Sequence, residues 1–91
     1  MKFEWDPDKA NLNLLKHGVS FYEAATVFSD LFSVTYHDPD HSLAEERYIT
    51  VETSKAGLLL IIAHTDRGEN IRIISARKTA RQERIHYEEE N

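Results

Sequence analysis

The sequence predicts a single α+β domain, in which helices pack against an antiparallel sheet. Two helix-like segments fill the first third of the chain, four strand-like segments separated by turn residues follow, and a highly charged helix-like segment comes last. At 91 residues the chain can bury one core, and no linker, internal repeat or low-complexity segment divides it. We therefore expect residues 1–91 to form one domain.

A short strand and a capped helix begin the chain. The alternation of polar and apolar residues in Lys2-Phe3-Glu4-Trp5 is typical of a strand. Asp6 can accept hydrogen bonds from the free N–H groups of a helix start, and Pro7 suits the first helical position because it lacks an N–H. The helix is predicted to run to His17 and to end at Gly18, because glycine readily adopts the left-handed conformation of a helix cap.

A second helix is predicted to follow at once. Ser20 and Glu23 have the spacing of a capping box, in which each side chain bonds the backbone N–H of the other residue. The helix should end near residues 29–30. Its apolar residues recur at helical spacing and are expected to face the core; they are Phe21, Ala24, Ala25 and Phe28.

Four antiparallel strands are predicted next, at residues 31–36, 47–53, 58–64 and 71–77. A polar loop at 37–42 and hairpin turns at 54–57 and 65–70 separate them. The third strand is apolar almost throughout, which predicts a central position in the sheet with both faces covered.

The last strand and the helix after it hold many of the basic residues. Strict alternation predicts that Arg72 and Ala76 share one face of the strand, and it places Ser75 on the other face. Arg77 stands at the junction with a helix predicted over residues 78–90. Helical spacing would place four charged side chains on one face around this junction, namely Arg77, Arg81, Arg84 and Glu88. Such a corner can surround one anion with several guanidinium groups.

The charge is unevenly distributed along the chain. The net charge of −5 at pH 7 argues against a general nucleic-acid coat protein. Residues 67–84, however, hold six basic and two acidic residues. A local cationic patch can bind phosphate on an acidic protein, because charges are screened beyond roughly 8–10 Å. The alternative interpretation is a solvated helix of mixed charge that binds no ligand.

Cofactors, metals and membranes are not expected. No segment resembles a signal peptide or a membrane span, which predicts a cytoplasmic protein without membrane contact, and the chain has no cysteine for disulfides or thiolate metal sites. The polar loop contains two histidines and two aspartates within five residues, a composition that can bind a divalent metal. Pro39 prevents a helix that would align them, so we expect a turn held by side-chain hydrogen bonds.

Three groups of residues, spread over nearly the whole chain, resemble the motifs of a known family. They are Phe3-Glu4-Trp5-Asp6 with Lys9 and residues 13–21; Asp38 with His41 and Glu45-Glu46-Arg47; and residues 71–77 with Arg81, Glu83 and Tyr87. In their order and spacing these motifs resemble the BrnT family of toxins from bacterial toxin–antitoxin pairs.

The resemblance implies a fold similar to RelE-type ribonuclease toxins, and RNA cleavage that halts translation. It also implies an antitoxin partner, BrnA, which is similar to ribbon-helix-helix DNA-binding proteins. In that family the toxin and the antitoxin bind each other and repress their own operon. Contact with operator DNA is therefore expected only through the antitoxin.

Metal-free RNA cleavage requires a base near the ribose 2′-OH, cations for the phosphate and an acid for the leaving 5′-oxygen. Arginine suits the phosphate because its planar fork is permanently charged, and histidine is the usual acid or base near neutral pH. The candidate catalytic residues are Arg72, Arg77, His17 and Glu46, with Glu45 as an alternative base. The candidate RNA-binding residues are Lys9, Lys16, Arg47, Arg81 and Tyr87.

Each candidate also has a purely structural interpretation. The arginines can pair with carboxylates, His17 can bond the carbonyls at a helix end, and Tyr87 can cover the core instead of stacking on a base. The leading hypothesis is a metal-independent endoribonuclease toxin. The alternative is a non-catalytic binding module or corepressor, which would use the same basic corner to bind a protein partner or nucleic acid.

Overall fold

The computed structural model describes residues 2–31, 33–41 and 45–90, and it shows an α+β fold. Residue 32 of the predicted strand 31–36 and residue 42 of the predicted polar loop lie outside the described residues. The elements, in chain order, are β1 (Lys2–Glu4), α1 (Pro7–His17), α2 (Phe21–Ala25), a 3-10 turn (Thr26–Ser29), β2 (Val34–His37), a second 3-10 turn (Pro39–His41), β3 (Arg47–Thr53), β4 (Leu59–Arg67), β5 (Asn70–Lys78) and α3 (Arg81–Glu90).

The sheet has five strands in the order β1-β5-β4-β3-β2. The last four strands pair antiparallel, as predicted, but β1 joins the edge of the sheet parallel to β5, with Phe3 opposite Ile71. The prediction of a four-stranded antiparallel sheet is therefore wrong, because alternation identifies a strand without identifying its partner. Burial explains the pairing, since the Phe3 ring packs 5.5 Å from the Phe28 ring beside the core.

The first helix begins and ends where its local signals predict. The Asp6 side chain accepts a hydrogen bond from the Asp8 N–H, and Gly18 adopts the left-handed conformation with φ of 70°. Beyond the short β1, α1 covers the remaining edge of β5 through one buried side chain. Asn13 donates to the carbonyl of Ala76 at 2.8 Å and accepts from the Ala76 N–H at 3.1 Å. Its amide thus replaces a neighbouring strand.

Replacing Asn13 by alanine is expected to lower the free energy of unfolding by about 3 kcal/mol, because the buried backbone groups of Ala76 and the Val19 carbonyl lose their partner. Urea unfolding would measure the loss. Asn11→Ala is the matched control, since Asn11 lies exposed on the same helix. Equal stability of the two variants would contradict this role for Asn13.

The second helix is shorter than predicted. Ser20 caps it as expected, accepting from the Glu23 N–H at 3.0 Å, but α2 ends at Ala25 and continues only as a 3-10 turn. The Thr26 hydroxyl donates to the Glu23 carbonyl at 2.6 Å, an alternative bond that weakens regular helix. The fully buried core residues lie between these helices and one face of the sheet; they are Val19, Phe21, Ala24, Val27, Leu60, Ile62, Ile73 and Ala76.

A bulge in β5 overturns the predicted faces of that strand. Ile73 pairs with His64 and Ser75 pairs with Ala63, so Ile74 is an extra residue without a partner in the register. The alternation therefore reverses after Ile74. Ala76 enters the core with 0% exposure, and Ser75 moves to the opposite face. The two consecutive isoleucines, Ile73 and Ile74, interrupt the apolar–polar alternation of the strand, and strict alternation extended through them assigns the wrong faces to the residues that follow.

The core face of the sheet carries a buried histidine, His64. The His64 ring is 2% exposed, and it bonds the Thr50 hydroxyl at 2.7 Å and the Asp66 carboxylate at 3.2 Å. It also packs edge-on against Phe28, with ring centroids 5.0 Å apart. Burial lowers the pKa of His64, and the nearby Asp66 charge opposes this shift only in part.

Acidification is expected to destabilise the fold through His64. Its depressed pKa in the folded protein means that the unfolded chain binds the proton more readily. Stability should therefore be full above the ordinary value of 6.5 and fall as the pH drops below it. Urea unfolding at about pH 7.5 and about pH 5.5 would show the loss, and His64→Gln should reduce this pH dependence. Equal pH dependence in wild type and variant would contradict the assignment.

No helix in the described parts of the chain is long and apolar enough to cross a membrane. The sheet face opposite the core is called the open face below. Part of it lies under α3, and the rest is accessible beside the two arginines Arg47 and Arg77.

Candidate functional site

The open face carries a cleft at its centre, called the arginine cleft below. Its floor is apolar, from neighbouring positions of β3, β4 and β5, with Ile49, Ala63 and Ser75 in one row of the register. The cleft has a volume of about 240 Å³. Its lining residues are Asp38, His41, Arg47, Ile49, Ile61, Ala63, Ile74, Ser75 and Arg77. Two guanidinium groups, an imidazole and a carboxylate therefore meet at one apolar floor.

Arg77 is fixed at the rim of this cleft by Glu83. Two parallel hydrogen bonds of 2.8 Å each join the guanidinium to the carboxylate. Glu83 also accepts from the Ala80 N–H at 2.8 Å, which ties the pair to the start of α3. Hydrogen bonds from Arg77 and Ala80 lower the pKa of Glu83 to about 2, and the bond to Glu83 raises the pKa of Arg77. The pair therefore stays charged in physiological conditions and orients Arg77.

Arg77 lies on the strand and not on the helix. It belongs to β5, whereas α3 begins at Arg81, so the predicted helical face that joins Arg77 to Arg81 and Arg84 does not form. Because Ile74 is an extra residue in the strand, Arg77 lies on the open face instead of the core face. Guanidinium groups carry five N–H donors, of which the bonds to Glu83 and to the Lys78 carbonyl use three. The N–H groups not used by these bonds can donate to the oxygens of a phosphate.

A histidine–aspartate pair lies at the opposite rim of the arginine cleft. His41 Nδ1 bonds the Asp38 carboxylate at 2.9 Å, and the imidazole is largely exposed while Asp38 is mostly buried. The Asp38 N–H donates to the Arg47 carbonyl at 2.9 Å, which fixes the pair to the start of β3. The 3-10 turn Pro39–His41 folds the histidine back toward its aspartate. The bond to Nδ1 leaves Nε2 to exchange a proton with a substrate.

The sequence interpretation missed this pair as a catalytic candidate. It treated the polar loop as a turn and preferred His17 as the acid or base. The signal available in the sequence was the Asp-x-x-His spacing of Asp38 and His41, on either side of Pro39 and before the strand that carries Arg47. That spacing becomes informative only when the loop is known to lie over the cleft.

Arg72 lies in the neighbourhood of the cleft without lining it. It stands opposite Thr65 on β4, which in turn stands opposite Arg47 on β3. Its guanidinium approaches the Glu4 carboxylate at 3.9 Å. Glu45 accepts from Arg67 at 2.9 Å, and this hydrogen bond lowers the pKa of Glu45. Both glutamates therefore hold arginines of the open face in place.

The predicted residues of α1 come together in an adjoining groove, called the α1 groove below. It contains Lys9, Lys16 and His17 beside the bulged segment of β5. Ile74 and Ser75 line both the α1 groove and the arginine cleft. The bulged residues Ile74 and Ser75 thus form a ridge that separates the arginine cleft from the α1 groove. The two lysines lie on the α1 side of this ridge.

Three other predicted residues lie elsewhere. Glu46 contacts His37, outside the residues that line the arginine cleft. Arg81 is exposed in the first turn of α3. Tyr87 lines a cavity of about 300 Å³ between α3 and the open face, and burial raises its pKa. In the described segments, no group of three or more potential ligands has the geometry of a metal site.

Comparisons with known proteins agree on one family. A family model described as a ribonuclease toxin, BrnT, of type II toxin–antitoxin system matches residues 5–83. The crystal structure of the Brucella abortus ribonuclease toxin, BrnT, has the same fold, with a TM-score of 0.65 and 23% sequence identity. The similarity covers 89% of this chain and 99% of that one. No curated protein sequence is significantly similar to this chain.

Proposed function

This chain belongs to the BrnT family of ribonuclease toxins of type II toxin–antitoxin systems, and we propose that it cleaves RNA at the arginine cleft and thereby halts translation. One observation supports this site above all. Arg47, Arg77 and the His41–Asp38 pair line one cleft, and they can supply the cations and the base that attack of a ribose 2′-hydroxyl on the adjacent phosphate requires.

The proposed reaction is a transesterification. His41 Nε2 removes the proton from the ribose 2′-OH, and Asp38 holds the imidazole in the tautomer that can accept it. The 2′-oxygen forms a bond to phosphorus while the bond from phosphorus to the 5′-oxygen breaks. The 5′-oxygen takes up a proton, and the products are a 2′,3′-cyclic phosphate and a 5′-hydroxyl. No step requires a metal ion, so we propose metal-independent cleavage.

The two arginines stabilise the charge that develops on the phosphate oxygens. Arg77 is held rigid by Glu83, so little reorganisation is needed when the substrate enters. Arg47 lies across the cleft on β3, in reach of the same phosphate. His17 lies beyond the Ile74–Ser75 ridge, on the side away from His41, and we propose it as the acid that protonates the 5′-oxygen.

Neighbouring phosphates of the RNA are proposed to lie over the α1 groove. Lys9 and Lys16 lie there, one ridge away from the reacting phosphate. Arg72 lies beside the cleft and Arg81 is exposed at the start of α3, and both add positive charge that attracts the RNA backbone. We assign Glu46 no step, because it lies beside His37 outside the cleft.

The partner proposed for this toxin is a BrnA-like antitoxin of the ribbon-helix-helix class. Residues 1–66 hold eleven acidic and five basic residues, a balance that suits a basic protein segment. Repression of the operon would then need the antitoxin to bind the operator DNA. We further propose that the protein acts in the cytoplasm, where RNA and ribosomes are available. Its chemistry is proposed to be similar to that of RelE-type ribonucleases.

Expression in bacteria tests this function in cells. Induction of the wild type should stop growth and the incorporation of labelled methionine within one generation, and co-expression of a ribbon-helix-helix protein encoded next to it should restore both. Arg77→Ala, produced at the same soluble level, should leave growth unaffected. Continued growth and protein synthesis with folded wild-type protein would contradict the proposal.

A further inference from the structure

We propose that the cavity between α3 and the open face binds one nucleobase of the RNA and so selects the cleavage site. This inference rests on the proposed function, because it places a second part of the same substrate. The cavity, called the base cavity below, is lined by Tyr36, Val51, Ile61, Thr79, Glu83, His86 and Tyr87. These residues come from β2, β3, β4, the α3 entry and α3.

The composition of the walls suits a nucleobase. Tyr36 and Tyr87 offer two aromatic rings from different elements, and Val51 and Ile61 form an apolar floor from neighbouring positions of β3 and β4. Aromatic stacking of a base is favourable for every base, since each has a π-face. The volume of about 300 Å³ lies at the lower end of ligand pockets, so it suits one ring system and not an extended chain.

The base cavity adjoins the arginine cleft. Ile61 lines both, and it stands opposite Arg77 in the register of β4 and β5. The Arg77–Glu83 ion pair lies at the boundary, because Arg77 lines the cleft and Glu83 lines the cavity. A phosphate bound by Arg77 can therefore place the base of an adjoining nucleotide near the cavity. This adjacency favours a nucleobase over an unrelated small molecule.

Polar groups at the wall can distinguish bases. Glu83 is ionised and only accepts hydrogen bonds, whereas the Thr79 hydroxyl and the His86 ring can donate or accept. A base that presents N–H groups to this wall should bind more tightly than one that presents carbonyl groups.

Nucleotide binding followed by NMR tests the base cavity without requiring turnover. The probes are the four nucleoside 3′-monophosphates, with ribose 5-phosphate as the probe that lacks a base. All should shift the amide signals of Ser75 and Arg77 in the cleft. Only the nucleotides should shift those of Tyr36, Thr79 and Tyr87, and the four bases should differ in affinity.

Substitution at Tyr87 separates stacking from folding. Tyr87→Leu should weaken nucleotide binding by about tenfold and leave ribose 5-phosphate binding unchanged, because only a base gains from the ring. Tyr87→Phe keeps the ring and should bind as the wild type does. Tyr22→Leu is the matched control, since Tyr22 lies exposed on α2 and packs against Trp5 instead.

Three results would overturn the base cavity: no shift at Tyr36 and Tyr87 with any nucleotide, the same shifts with ribose 5-phosphate, or equal nucleotide affinity in Tyr87→Leu and wild type. Failure of the proposed cleavage is a separate outcome. A protein that cleaves RNA but binds no base in the cavity keeps its proposed function and loses this inference. A protein that binds bases there without cleaving RNA supports the cavity and contradicts the reaction.

Discussion

Arg77→Ala is expected to lower the rate of RNA cleavage by about 100- to 1,000-fold, because it removes an oriented cation from the phosphate. The fold should persist, since the Arg77–Glu83 pair is partly exposed and such pairs contribute only about 0–1 kcal/mol. Single-turnover cleavage of a defined RNA would measure the rate. Circular dichroism and urea unfolding would confirm that the variant is folded.

Two further variants separate the contributions at this position. Removing Arg77 leaves the Glu83 carboxylate beside the cleft, where it repels phosphate, so Arg77→Ala/Glu83→Gln isolates the loss of the cation from the added repulsion. Arg84→Ala is the matched control, because Arg84 is exposed on α3 and approaches Glu88 at 3.9 Å. Cleavage by Arg77→Ala at the rate of Arg84→Ala would remove Arg77 from the site.

His41→Gln is expected to lower the cleavage rate constant by about 100- to 10,000-fold, with little change in RNA affinity, because glutamine cannot take up a proton. Asp38→Asn should lower the cleavage rate constant by a smaller factor, since the imidazole remains while its bond to the carboxylate is altered. His37→Gln is the matched control, because His37 is the last residue of β2, just before the same loop, and it contacts Glu46 and Tyr48.

A wild-type cleavage rate in His41→Gln would assign the base to another residue. His17→Gln would then be the next variant, because His17 lies just across the Ile74–Ser75 ridge.

Local signals in the sequence predict the elements whose causes are local. The Asp6 cap, Pro7 and Gly18 mark the bounds of α1, and the structure confirms them. The Ser20 cap likewise marks the start of α2, although the hydroxyl of Thr26 ends the regular helix earlier than the apolar stripe suggests. Each of these features depends on a few neighbouring residues, so it can be predicted from the sequence without knowledge of the fold.

Features that depend on distant residues were not predictable in the same way. The parallel pairing of β1 with β5 joins residues about seventy positions apart, and no periodicity encodes it. Asn13 replaces a strand at the edge of β5, a role visible only when Ala76 is seen beside it. The bulge at Ile74 reverses the faces of β5, and the two consecutive isoleucines that interrupt its alternation identify the bulge only when the pairing with β4 is known.

The sequence and the structure indicate overlapping sets of candidate site residues. Arginine enrichment near Arg77 and the family resemblance predict an RNA phosphate site, and Arg47 and Arg77 line one cleft. His41 was not among the catalytic candidates from the sequence, because it reaches the cleft through a loop whose path depends on the sheet. The place of Arg72 in an otherwise apolar strand made it a catalytic candidate. In the structure it lies beside the cleft without lining it, and its guanidinium approaches Glu4.

Turnover by the purified, antitoxin-free protein tests the central claim most directly. A defined RNA would be incubated in EDTA with the wild type, Arg77→Ala and Arg84→Ala, and the new ends would be identified. The account predicts cleavage by the wild type and Arg84→Ala, with 2′,3′-cyclic phosphate and 5′-hydroxyl ends, and almost none by Arg77→Ala. RNA that stays intact with folded wild type, in EDTA and also with ribosomes added, would contradict it and favour a module that binds without cleaving.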